Sequence, residues 1–221
     1  MDAGLLPVKN LARSKGRLAA DFNAGERAAI ARALLEDALA LCGRVQQLAW
    51  WVVSDDDEVL EAAAAAGFGA LKDGGGGLNP ALERALDMLI RVGAGSVAIV
   101  PVDVPLATDT EITDLLDTGA TSDAVLVPSA HDGGTNGLYM QPPGVIEPSF
   151  GRASLAAHLR IAQRRSLRCS ILELPGLGLD IDRVEDVEKL LEHPGAPATS
   201  TGRLLAELRP RPAQAAPARP S

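Results

Sequence analysis

Four cations fall within nine residues near the start of the sequence: Lys9, Arg13, Lys15 and Arg17, with no acidic residue between Pro7 and Leu18. Lysine offers a point charge and arginine a planar fork, a combination that suits a polyphosphate. A solvated basic loop is the plain alternative. The stretch is not a P-loop, because G-x-x-x-x-G-K-[ST] is absent. The acidic counterpart is Asp103, in VPVDVPL, with the pair Asp180 and Asp182, in GLDIDRVEDV. Residues i and i+2 of an extended segment share a face, so the pair can converge on one divalent ion. Asp182 could equally cap a helix that begins near Arg183, and Asp103 could merely cap the turn before Pro105.

Uncharged loops add to this set. Gly74 to Gly77 would let backbone amides approach a ligand closely, and Asn79 could pair with a base edge. The alternative there is a flexible loop with Asn79 as a helix N-cap. Asp132 to Gly137 is a tight polar turn that offers amides and the Thr135 hydroxyl. Phe150-Gly151-Arg152-Ala153-Ser154 opens a helix, where amides and dipole favour an anion, with Ser154 either a cap or a ligand. His131, His158 and His193 have no metal-ligand spacing. A cationic loop, three metal-capable aspartates and a second anion pocket are what nucleotidyl transfer needs. An ionised acceptor phosphate is already a nucleophile, so alignment and charge neutralisation do the work.

The elements that must position these residues alternate. Apolar runs predict strands over 4–8, 48–53, 67–71, 96–102, 124–128, 137–141 and 169–174. Helices are expected over 25–42, where Ile30, Leu34, Ala38 and Leu41 form one stripe, and over 58–66, capped by Ser54 or Asp55. Further helices are expected over 79–92, 108–116, 154–164 and 183–191. Such alternation implies an α/β fold with an open, mostly parallel sheet covered on both faces and ligands at the carboxyl ends of its strands. Residues 194–221 hold six of the fifteen prolines and no sustained periodicity. They are expected to form a flexible Pro/Ala-rich tail after one domain spanning residues 1–193.

Composition narrows the function classes. Apolar residues make up 47% of the 221, enough for a sizeable core, and aromatics only 3%, too few for base-stacking platforms. The net charge is −8; residues 194–221 are net +3, which leaves −11 for residues 1–193. That balance speaks against a nucleic-acid or anionic-membrane partner, although a local basic loop can still take small polyanions. Cys42 and Cys169 form no C-x-x-C pair, and no apolar run reaches membrane-span length. The N-terminal residues lack a signal-peptide shape, so a cytoplasmic location is expected.

The ordered set PVKNLARSKGRL, GLNPAL, VDVPL, DGGTNGL, FGRAS and LDIDRVEDV resembles the 2-phospho-L-lactate and phosphoenolpyruvate guanylyltransferases of coenzyme F(420) biosynthesis. The resemblance runs from about Leu5 to Leu191 and departs from the usual pattern at Val102 and Arg152. It implies a Rossmann-like nucleotidyltransferase, a three-layer sandwich of the nucleotide-diphospho-sugar transferase type. It further implies Lys9, Lys15 and Arg17 on the phosphates of GTP, Gly77 and Asn79 on the nucleotide, and Asp103, Asp180 and Asp182 on Mg²⁺. Thr135, Gly151 and Ser154 would hold a phosphorylated three-carbon acid, and Lys15, Arg17 and Asp103 would carry catalysis. Phosphoenolpyruvate is the favoured acid, with 2-phospho-L-lactate and 3-phosphoglycerate as alternatives, and a homodimer is left open. A nucleotidyltransferase for another acceptor and an inactive nucleotide-binding regulator are the competing readings.

Overall fold

The structure is a computed structural model and describes residues 1–131 and 133–208. Its elements, in chain order, are β1 (Asp2–Val8), α1 (Ala24–Arg44), β2 (Ala49–Ser54), α2 (Asp57–Ala65), β3 (Gly69–Lys72), α3 (Leu78–Arg91), β4 (Ser96–Ile99), α4 (Asp109–Gly119), β5 (Ala124–Pro128), β6 (Thr135–Met140), α5 (Ser154–Arg164), β7 (Cys169–Ile171), α6 (Pro175–Gly178), α7 (Val184–Glu192) and α8 (Ser200–Leu208). Local chemistry explains the boundaries. Asn23 and Glu26 form a reciprocal capping box at the start of α1, and Thr108 with Glu111 does the same for α4. The expected cap of α2 shifts: Asp56 accepts from Glu58 N–H, while the Ser54 hydroxyl accepts from Asp56 N–H.

The seven strands form one sheet in the order β3-β2-β1-β4-β6-β5-β7. Pairing is parallel except where β6 runs antiparallel between β4 and β5. Alternation along the strands sends Leu6 and Val8 to one face, where α1, α2 and α4 pack, and Ala3 and Leu5 to the other, covered by α3 and α5. Gly4 has no room for a side chain, because the ring of Trp50 lies where a Cβ would sit. The layers are therefore helix, sheet and helix, the expected α/β sandwich.

A third apolar cluster lies outside those two faces. Leu18, Phe22, Ile30, Leu34, Ile181, Val187, Leu190, Ala196 and Leu205 pack together there. This corrects the expectation of a flexible tail from residue 194. Residues 200–208 form α8 against α1, with Leu205 0% exposed, and Asp37 of α1 accepts from Ser200 N–H and Thr201 N–H. Packing of one face of this nine-residue helix, with Thr201, Gly202 and Leu205 buried, outweighs the turn signals of Pro194 and Pro197. The cluster also anchors two segments that carry charged residues: Leu18 ends the basic loop and Ile181 separates Asp180 from Asp182. The rest of the proposed tail, 209–221, lies outside the described residues, as does Asp132 of the polar turn. Among the described residues no helix is long and apolar enough to cross a membrane.

Candidate active site

Parallel β1, β2 and β4 end on the same edge, so the loops after them meet there. The basic loop leaves β1 at Val8, and its Leu11 N–H donates to Asp56 at 3.0 Å, which pins the loop to the start of α2. Lys15 adopts a left-handed backbone, φ 55°, which turns its side chain inward; the side chain is only 5% exposed. Its Nζ donates to Asp103 Oδ2 at 2.7 Å and to Asp182 Oδ1 at 3.1 Å. Arg17, more exposed, donates to Asp182 Oδ2 at 2.8 Å. Asp103 is brought to this point by the turn after β4, and its carbonyl accepts from Ile181 N–H at 2.9 Å. That backbone link fastens the D-x-D segment beside Asp103.

Asp180 sits on the same cluster but in a different environment. Its Oδ1 accepts from Ser129 Oγ at 3.1 Å and from Asn136 Nδ2 at 3.0 Å. Asn136 is itself held on the carbonyls of Leu177 and Gly178. Carboxylate oxygens of Asp103, Asp180 and Asp182 lie within 4.8 Å of one another. Burial, then repulsion from Asp103 and Asp182, pushes the Asp180 carboxyl above its usual range. Burial acts on Asp182 in the same sense, but Lys15 and Arg17 outweigh it and hold that carboxyl below its usual range. Burial works to neutralise Lys15, yet Asp103 and Asp182 prevail and raise its pKa, so it stays charged. Three converging carboxylates, two of which already bind an ammonium, are hard oxygen donors that fit a small divalent cation.

A cleft of about 340 Å³ opens on this cluster, lined among others by Lys9, Lys15, Arg17, Leu78, Asp103 and Asp182. The proposed phosphate residues and two of the three proposed metal ligands therefore share one cavity wall. Asp182 does not cap α7: Arg183 takes the N-cap position, and Asp186 in the first turn accepts from Asp182 N–H and Arg183 N–H. Gly74 to Gly77 all have positive φ, between 75° and 95°, and Gly77 takes the N-cap position of α3. Asn79 is thus not the cap. Its amide makes a reciprocal pair with Phe150, accepting from the N–H at 2.8 Å and donating to the carbonyl at 3.2 Å.

Thr135, Gly151 and Ser154 gather at a second point, reached from the first along β6. Thr135 faces Ser154, whose Oγ accepts from Thr135 N–H at 2.8 Å, while the next residue, Asn136, faces Asp180. Ser154 is not an N-cap either, since Ala153 takes that position with φ 54°. Gly151, at φ 139°, accepts from Ser154 N–H. Asn136 and Ser129 escaped the sequence reading. Asn136 lies inside DGGTNGL, but only its contact 44 residues away reveals its work.

The family profile described as "Guanylyl transferase CofC like" matches residues 3–209. The chain belongs to this family. A phosphoenolpyruvate guanylyltransferase of Sphaerobacter thermophilus is 39% identical over 197 residues, 89% of this chain and 95% of that one. A 3-phospho-D-glycerate guanylyltransferase of Phenylobacterium zucineum is 32% identical and covers 96% of this chain and 98% of its own. Among solved structures, a protein described as a nucleotide-diphospho-sugar transferase, from Desulfovibrio desulfuricans G20, superimposes with TM-score 0.79 at 18% identity, covering 93% of this chain and 94% of that one. That likeness shows the nucleotide-diphospho-sugar transferase fold. Family membership makes the chain a nucleotidyltransferase of the GTP-dependent guanylyl class.

Proposed function

We propose that the protein transfers GMP from GTP to the phosphate of phosphoenolpyruvate and releases pyrophosphate, a step of coenzyme F(420) biosynthesis. The observation that carries this reading is the single cleft shared by Lys9, Lys15, Arg17, Asp103 and Asp182. The relative at 39% identity supports phosphoenolpyruvate over the other acids. An oxygen of the acid's phosphate forms a bond to the α-phosphorus of GTP. The bond from that phosphorus to the α,β-bridging oxygen breaks, and pyrophosphate leaves with the electron pair. Lys9, Lys15 and Arg17 neutralise the triphosphate as charge moves onto the leaving group.

Asp103, Asp180 and Asp182 would hold Mg²⁺, which supplies further neutralisation of the phosphates when bound. Gly77 offers backbone to the nucleotide. Asn79 keeps one N–H and one oxygen lone pair beyond its pair with Phe150, a donor–acceptor set that suits a guanine edge. Thr135, Gly151 and Ser154 take the acid. On this reading the enzyme works in the cytoplasm on small anions, without nucleic acid or membrane, as a monomer or a homodimer.

The test is pyrophosphate release from GTP and Mg²⁺ with phosphoenolpyruvate, 2-phospho-L-lactate and 3-phosphoglycerate in separate reactions. The next pathway enzyme and its deazaflavin substrate serve as a trap for a short-lived product. Turnover is expected with phosphoenolpyruvate above the others. A preference for another acid corrects the substrate alone; no turnover with any acid contradicts the assignment.

A further inference from the structure

We propose that His158 is a positioning residue that holds the Thr135 hydroxyl as a hydrogen-bond donor into the phosphorylated-acid subsite. The proposal rests on the reading that Thr135 and Ser154 bind the acid. His158 lies on α5, 0% exposed, and its ring contacts fix its proton. Ser149 N–H points at His158 Nε2 at 3.0 Å. A backbone N–H can only donate, so Nε2 must accept and carries no proton. A neutral imidazole then has its proton on Nδ1.

Nδ1 is 3.0 Å from Thr135 Oγ1, so the ring donates to the hydroxyl oxygen. The hydroxyl cannot return its own proton to His158 and must direct it elsewhere. The adjacent Ser154 is set the same way, because its oxygen accepts from Thr135 N–H. Each of these two buried hydroxyls thus has its oxygen engaged by a fixed N–H, which leaves its proton to point at another acceptor. Such a pair favours an acceptor-only group, a phosphate or a carboxylate, over a group that must donate.

The ring is also locked in place. Phe150 meets it edge-on, with centroids 5.2 Å apart and planes at 71°, and Asn79 clamps the Phe150 backbone. Burial pushes the His158 pKa down to about 4, which keeps the ring in the neutral form this geometry requires. A doubly protonated ring would turn an N–H against the Ser149 N–H.

The variants separate the two ring contacts. A glutamine amide reaches the Nε2 position and an asparagine amide the Nδ1 position. His158→Gln keeps an acceptor for Ser149 but loses the donor to Thr135. It should raise KM for the acid by about 10–100-fold, the loss expected for a hydrogen bond to a charged group, with kcat and KM for GTP changed far less. His158→Asn restores a donor and should recover most of that KM. In a Thr135→Val background His158→Gln should have no further effect on KM for the acid. An unchanged KM, or an equal loss in the Thr135→Val background, overturns the proposal. Should a variant fail to fold, ¹⁵N shifts of labelled His158 in the wild type decide: the Nδ1–H tautomer supports the proposal and the Nε2–H tautomer overturns it. A wild type inactive with every acid brings down the functional reading as well. A wild type that turns over while the His158→Gln KM stays put brings down this proposal alone.

Discussion

The two halves of the site are built on opposite principles. Around Asp103 the structure concentrates charge: a buried ammonium and an arginine are packed against two carboxylates, with a third nearby. Around Thr135 the groups are neutral: two hydroxyls, an imidazole and backbone amides, ordered by who donates and who accepts. The first half suits the triphosphate, whose leaving group gains charge during reaction. The second suits an acid that must be held in one pose for its attack. Charge tolerates movement because it acts over distance, whereas a hydroxyl's polarity is lost with a single misplaced proton.

The sharpest way to break that contrast is to remove one charge. Asp103→Asn should lower kcat by about 10³-fold, the scale of losing a preorganised electrostatic contact, with little change in melting temperature. Pyrophosphate release and a thermal melt check both halves of the statement, and a variant of near wild-type rate would remove Asp103 from the chemistry.

A smaller effect is expected from the shared foundation of the basic loop and the D-x-D segment. Leu205→Ala opens a cavity in the cluster that also holds Leu18 and Ile181. Unfolding in urea should show a loss of about 2–5 kcal/mol. A loss under 0.5 kcal/mol would mean that α8 does not support the cluster.

The smallest effect separates the halves by pH. His158 has its pKa lowered from 6.5 to about 4, so the unfolded chain binds the proton first as pH falls. Its contribution is whole above about pH 6.5 and declines through the window down to about pH 4. The loss is about 1 kcal/mol at pH 5.5 and about 3 kcal/mol below pH 4. The lowered carboxyl of Asp182 acts later, its stabilisation being present above pH 3.8 and lost as pH falls further. Urea midpoints from pH 7 to 4 should therefore fall more steeply for the wild type than for His158→Asn. Parallel curves would contradict a buried neutral imidazole.

The same contrast explains what could be read from the sequence. Lys15, Arg17, Asp103, Asp180 and Asp182 declare themselves by residue type and by the two-residue spacing of the aspartates, and the structure brings them together. Strand–helix alternation likewise revealed the α/β layers, although not that β6 runs antiparallel. The neutral half is written in long-range pairs. Thr135 finds Ser154 and His158 19 and 23 residues on, and Asn79 finds Phe150 71 residues on. No local spacing marks such partners. The eighth helix was hidden for the same reason, because Asp37 supplies acceptors for its first amides from 163 residues away.

The most direct test of the account follows phosphorus. In a reaction of the wild-type protein with GTP, Mg²⁺ and phosphoenolpyruvate, ³¹P NMR should show free pyrophosphate and, at the earliest time points, a new unsymmetrical diphosphate that joins the acid's phosphate to GMP. GDP with inorganic phosphate as the only products, or unchanged GTP in every acid tested, would contradict guanylyl transfer at this site.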